Sequence, residues 1–154
     1  MATAYEIEKV FYVLEKEVNK VFIDNGLNIR VSQFNIKILS EPKMIIRNCD
    51  GLYIYNYDEI QLRRALFTHT VKILNTRPYV VITSIPYFKK LKVTLIHEIG
   101  HSIHYNKFNL EPYNLQTEWD YGDTNYKEKF AVAFQEYLLD KKYNNGIKPL
   151  LKNI

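Results

Sequence analysis

Residues 95–105 read LIHEIGHSIHY and hold three of the chain's four histidines. His97, Glu98 and His101 form the pattern H-E-x-x-H. On a helix, side chains four apart stand one above the other on one face. Two imidazoles so placed can bind one Zn2+ at ~2.0–2.1 Å. A glutamate beside the first of them can act as general base toward a water that the metal activates. At ordinary composition this pattern arises by accident in roughly one chain in a hundred or fewer. Its surroundings argue further against accident. Val93, Leu95, Ile96, Ile99 and Ile103 make the other sides of the helix apolar, so it should be buried. Unpaired imidazoles and a carboxylate are costly there, and a metal removes the cost. Gly100 loses ~1 kcal/mol against Ala inside a helix, which predicts that something packs close to the backbone at that point.

His104 shares the face of His101 and lengthens the row. On a straight helix it lies about 10.5 Å along the axis from His97, too far for one ion to reach both. Sequences that use a downstream third histidine place a glycine between, as H-E-x-x-H-x-x-G-x-x-H, and residues 102–108, SIHYNKF, contain none. His104 is therefore given no metal, and is expected to support the site, face substrate or serve the fold. The third ligand must come from elsewhere. Glu128 and Glu136 lie on a later helix, and Glu111, Glu118, Asp120 and Asp123 in the irregular stretch before it. Spacing does not choose among them.

These residues need elements to hold them. Thr3 can cap a helix from about residue 4 to 23, with Val10, Phe11, Leu14, Val18, Val21 and Phe22 at helical spacing, ended by Asn25-Gly26. LNIRVSQFNI, residues 27–36, alternates like a strand, and KMIIRN with LYIYNY, joined through CDG, reads as a hairpin. Asp58 is expected to cap a helix over EIQLRRALFTHTVKILN, closed by Arg77-Pro78. YVVITSI, residues 79–85, is predicted to be a strand, and residues 89–106 the helix of the histidines. Thr124 or Asn125 then caps a helix through about Lys142, stopped by Asn144-Asn145-Gly146 and Pro149. No repeat or linker interrupts this order, so one α+β domain over residues 1–154 is expected.

Composition narrows the function. Hydrophobic residues at 47% and charged residues at 25% are ordinary for a globular domain. No stretch approaches the ~18 apolar residues of a membrane span. The net charge of +4 is spread among acids, the densest groups being FKKLK and DKKYNNG. It predicts a solvated surface, with neither nucleic acid nor membrane as partner. Cys49 is alone, so no internal disulfide forms. The start, MATAYEIEKVFYVLEKEVNK, lacks the uninterrupted apolar core of a signal peptide. An intracellular protein, or the mature form of a secreted or delivered one, is expected, and a monomer.

HEIGH followed by YGDTNYKEKFAVAFQEY resembles the catalytic domains of the anthrax lethal factor-like and Pro-Pro endopeptidase zinc metallopeptidases, of the gluzincin type. Their shared pattern is HE[IF]GH, then a tyrosine with Gly and Thr-Asn close behind, and a ligand glutamate seven residues after that tyrosine. Phe-Ala and Ala-Phe follow. The match spans about a third of the chain in two blocks, of which the second is the specific one. The resemblance implies a zincin-like domain, a small mixed sheet with the active-site helix and a C-terminal helix carrying the third ligand. It implies one Zn2+ held by His97, His101 and Glu128, with Glu98 as general base and Tyr121 as the phenol that assists at the metal. The residues agree: Glu128 falls in the first turn of its helix, and Gly122 and Asp123 free Tyr121 from it. One departure is Val132, where such proteins often have a second glutamate that supports the metal's outer shell; losses there can cost ~10–100-fold. Glu118 or Asp120 could hold a ligand imidazole instead.

The implied reaction is hydrolysis of a peptide or protein substrate, with Glu98 moving the proton and Tyr121 stabilising the oxyanion, a contact whose loss commonly costs ~10²–10³ in rate. Residues 79–85 are the candidate sheet edge for substrate. Trp119 is expected in the core and His69 to be structural. The rival reading is a zinc-holding toxin or inhibitor module without catalysis. Against it, a structural site needs neither Glu98 nor Tyr121, and would tend to be closed by four protein ligands. A repressor-cleaving metallopeptidase would share the ligands but lacks the block from Tyr121 to Glu128.

Overall fold

The computed structural model describes residues 2–44, 46, 49–123, 125–140 and 144–154, with the backbone alone at 120 and 123. Helix α1, Ala4–Asp24, starts on a capping box. Thr3 Oγ1 accepts from the Glu6 backbone N–H at 3.1 Å, and Glu6 Oε1 accepts from the Thr3 N–H at 3.0 Å. Two otherwise orphaned donors are thus satisfied. The helix buries Ile7, Val10, Leu14, Val18 and Phe22, one face at helical spacing. It ends at Asn25, with Gly26 in the left-handed region at φ 72°.

Three short strands follow: β1, Asn35–Leu39; β2, Gly51–Ile54; and β3, Glu59–Arg63. Their order is β1-β3-β2. β1 runs parallel to β3, with Asn35 opposite Glu59 and Leu39 opposite Arg63. β2 runs antiparallel to β3, with Gly51 opposite Leu62 and Ile54 opposite Glu59. The chain is thus α+β with a small mixed sheet.

Several expected boundaries move. Only the end of residues 27–36 enters the sheet, because Val31–Gln33 forms a 3-10 turn first. The hairpin pairs β2 with β3, not with residues 43–48. Met44 and Ile46 lie in no strand, and Ile45, Arg47 and Asn48 are outside the described residues. Asp58 caps no helix. It closes the hairpin after a 3-10 turn at Tyr55–Tyr57, with φ 47° and ψ 51°, a conformation Asp tolerates better than most residues. Residues 59–63 are strand because Ile60 and Leu62 alternate with Glu59 and Gln61, a period of two. The 3.6-residue period begins later, in α2, Arg64–Thr76, which buries Leu66, Phe67, Thr70 and Val71. Residues 79–85 form no strand. Pro78 and Pro86 bracket them, Ile82–Ser84 is a 3-10 turn and Tyr79 is 98% exposed. β-forming side chains need a neighbouring strand to pack on, and both sheet edges lie elsewhere.

Helix α3, Pro86–Phe108, opens on Pro86 at its first position, where the missing N–H has no intrahelical role. Helix α4, Tyr126–Leu139, is capped by Asn125, whose Oδ1 accepts from the Glu128 N–H at 2.8 Å. Thr124, the alternative cap, and Lys142, the expected end, lie outside the described residues. A short α5, Lys148–Leu151, follows. The core between helices and sheet includes Phe22, Leu62, Phe67, Phe88, Leu91 and Phe134, all fully buried. α3 and α4 cross where Gly100 sits: a Cβ there would lie 3.2 Å from Ala131 Cα and 3.1 Å from Phe134 Cδ1. That is the close approach the glycine predicts. Among the described residues, no helix is long and apolar enough to cross a membrane.

Candidate metal centre

The close contact at Gly100 brings the ligand-bearing turns of α3 and α4 together. His97 and His101 project from consecutive turns of α3, 7% and 5% exposed. Glu128, in the first turn of α4, reaches both: Oε1 lies 2.8 Å from His101 Nε2 and Oε2 lies 3.2 Å from His97 Nε2. One donor atom from each of the three lies within 4.8 Å of the others, a cluster that could hold a metal ion.

The far side of each ring agrees with that use. His97 Nδ1 donates to Gln135 Oε1 at 3.2 Å, and His101 Nδ1 lies 3.0 Å from the Tyr55 hydroxyl. Contacts at Nδ1 select the tautomer that leaves Nε2 as the ligand. Two imidazoles and a carboxylate form a donor set suited to zinc. Burial raises the Glu128 carboxyl, but the hydrogen bonds and charges of His101 and His97 outweigh it and hold the group at about 2. Burial lowers His97, yet the hydrogen bond it donates to Glu128 and the charges of Glu98 and Glu128 leave it above its ordinary value.

Glu98 lines a cleft of about 300 Å³ that His101, Glu128, Tyr121, Tyr55, Lys127 and strand β2 also line. Burial pushes its carboxyl up, with His97 and His101 opposing, and the Tyr53 backbone N–H donates to it. Tyr121 hydrogen-bonds Glu128, and burial together with the charges of Glu128 and Glu98 raises its phenol. Its ring lies 6.2 Å from that of His97. The chain therefore brings together all five residues singled out by its motifs.

The loop that presents Tyr121 is a 3-10 turn, Asp120–Asp123. Gly122 is needed there, since any Cβ would run into the Thr117 side chain. Glu136, weighed above as a ligand, ties this loop down instead: its carboxylate accepts from the Glu118 N–H at 2.9 Å and the Trp119 N–H at 3.3 Å. Trp119 is not core. It is 50% exposed, its ring 4.8 Å from Tyr121 and 6.1 Å from His97. An indole carrying a polar N–H is at ease at such a boundary.

Other candidates settle elsewhere. His104 is fully buried, stacked on Phe130 at 4.2 Å, and its Nε2–H donates to the Glu111 carbonyl at 2.8 Å. It pins the segment after α3, so Glu111 contributes its backbone rather than a carboxylate. The imidazoles are held by Gln135 and Tyr55 rather than Glu118, and the side chains of Asp120 and Asp123 lie outside the described residues. Val132 is fully buried. Exposed His69 stacks on Tyr87 at 4.7 Å. Gln135, two turns after Glu128 on α4, was findable from helical spacing. Tyr55 had no local signal, because the hairpin carries it to a histidine 46 positions away. No protein-family model, curated protein or solved structure matches this chain.

Proposed function

We propose that the chain is a zinc-dependent endopeptidase of zincin-like fold, allied to the lethal factor-like and Pro-Pro endopeptidases. One observation carries the reading: a buried carboxyl and a phenol line the same cleft as His101 and Glu128, two of the three clustered candidate ligands. A metal kept for structure alone has no use for either. What zinc supplies when held by His97, His101 and Glu128 is Lewis acidity, which polarises a carbonyl and makes water a nucleophile near neutral pH.

Glu98 accepts the proton of the attacking water and passes it to the leaving amine. Its raised affinity for protons suits a group that must both take and return one. The Tyr121 phenol, kept protonated by burial and by the carboxylates around it, donates a hydrogen bond to the oxyanion as it forms. Gln135 and Tyr55 fix the imidazoles.

Substrate alignment falls to β2 rather than to residues 79–85. The Arg63 N–H donates to the Asp50 carbonyl at 2.9 Å, so in the antiparallel register residues 52 and 54 face β3 while 51 and 53 face outward. Tyr53 gives its outward N–H to Glu98, so an extended peptide pairs with the outward groups of Gly51 and with the Tyr53 carbonyl.

The deciding experiment profiles a random peptide library with the zinc-loaded protein and with Glu98→Ala. Cleavage by the first alone is expected. If both leave the library intact while each binds one equivalent of zinc, the peptidase reading fails and a binding module takes its place.

A further inference from the structure

The cleft beside the metal centre carries a positive charge that the hydrolytic chemistry does not use. Lys127 precedes Glu128 in the first turn of α4 and lines the same cleft. Adjacent helix positions point about 100° apart, so while Glu128 turns toward α3, Lys127 turns toward the cleft wall. Its Nζ lies 5.0 Å from the centre of the Tyr55 ring. Tyr55 is itself anchored by its hydroxyl at His101 Nδ1 and packed edge-on against Tyr53 at 4.7 Å and Tyr105 at 5.6 Å. The ammonium is thus seated on a fixed aromatic face rather than free to sweep through solvent. Among the described residues, no carboxylate lies within 4.0 Å of it.

Among the described residues, the charges lining the cleft belong to Glu98, Glu128 and Lys127, with His101 neutral when it is a ligand. A divalent ion offsets the two carboxylates and leaves the Lys127 charge uncompensated. We infer that Lys127 makes this cleft selective for peptides with an acidic side chain a few residues from the scissile bond. The inference rests on the peptidase reading for taking the occupant to be a peptide. The ring of Tyr55 lies 6.1 Å from that of His101 and Lys127 stands one further step away. At ~3.3 Å per residue of extended chain, this places the acidic side chain about two or three positions from the bond that is cut. A substrate Lys or Arg at that position meets like charge in a partly desolvated cleft, so the preference has a repulsive arm as well as an attractive one.

The test separates binding from cutting. A random decapeptide library is captured on the immobilised, zinc-loaded Glu98→Gln chain, and the bound peptides are sequenced. Asp and Glu enriched about 3–10-fold at one position, with Lys and Arg depleted there, is the expected result. Lys127→Met, which keeps the apolar stem, should abolish the enrichment, and Lys127→Glu should invert it toward Lys and Arg. No acidic enrichment, or an enrichment that survives both substitutions, overturns the inference. Acid-selective binding without cleavage by the chain that retains Glu98 would instead overturn the peptidase reading and leave the selectivity standing. Cleavage without acidic preference would do the reverse.

Discussion

Replacing Gly100 by Ala sets helix propensity against packing. Inside α3 the added methyl gains ~1 kcal/mol of propensity. It would also stand 3.1 Å from Phe134 Cδ1, 3.2 Å from Ala131 Cα and 3.4 Å from Phe134 Cβ, against an optimum of ~3.5–4.0 Å between carbons. Phe134 and Ala131 are fully buried, and Ala131 Cα is backbone, so relief requires the two helices to part by a few tenths of an ångström. Overpacking of this kind costs ~1–3 kcal/mol, which outweighs the propensity gain. The net loss is on the order of 1 kcal/mol, or ~2–4 °C in Tm for a chain of this size. A second effect follows from position. Gly100 immediately precedes His101, and Ala131 follows Glu128 by three residues. Parting the helices there draws the Glu128 carboxylate away from Nε2 atoms that now lie 2.8 and 3.2 Å from it. Ligand distances tolerate about ±0.2 Å, so zinc affinity should fall on the order of tenfold, equivalent to ~1.4 kcal/mol. Thermal unfolding in chelator and zinc competition against a chromogenic chelator measure the two effects. A higher Tm with unchanged zinc affinity would refute the reasoning, because propensity would then have decided the outcome and the helix contact would be loose.

His104→Ala removes a fully buried ring and its hydrogen bond to the Glu111 carbonyl, so it should cost ~2–4 kcal/mol in denaturant unfolding. Glu128→Ala should lower zinc affinity far more than His104→Ala does, and equal losses in a zinc titration would exclude Glu128 as third ligand. Glu136→Ala frees the two backbone N–H groups that tether the Tyr121 loop; zinc should stay bound while quenching of Trp119 fluorescence by acrylamide rises, and an unchanged quenching constant counts against the tether. In metal-free protein the pH dependence follows from two opposite shifts. Glu128 is held near 2, below its ordinary 4.5, so its contribution is complete above about 4.5 and is lost as pH falls toward 2. His97 is raised, so its contribution is complete below 6.5 and is lost as pH rises through its higher folded value. Glu98, also raised, disfavours the folded state increasingly as pH climbs. Tm in chelator should therefore fall as pH rises above about 6.5, and a rise there would contradict these directions.

Whatever depends on local period or local chemistry was legible in the chain. The capping box at Thr3, the helix of the histidines and the Asn125 cap all follow from contacts within four residues. His97, Glu98 and His101 share a helix, so their spacing already places them. Gly100 signalled a close neighbour without saying which. Where two periods meet, local pattern is ambiguous: residues 59–63 precede a helix without a break, and only the pairing of Ile60 and Leu62 within the sheet makes them strand. Residues 79–85 are the opposite case, since a run of β-formers stays irregular when no strand lies beside it.

The candidate ligand pair on α3, the carboxyl beside it and the helices that carry them are written in local sequence, because a helix turns chain distance into spatial distance at a fixed rate. The sequence also supplied Glu128 and Tyr121 as candidates, through resemblance rather than geometry. Tertiary packing settled that Glu128 meets both imidazoles, that Gln135 and Tyr55 hold those rings from behind, and that Glu136 tethers a loop. It alone put β2 beside Glu98 and Trp119 at the cleft rim. Each of these contacts joins elements far apart in the chain, and such contacts are set by how faces pack rather than by any local spacing.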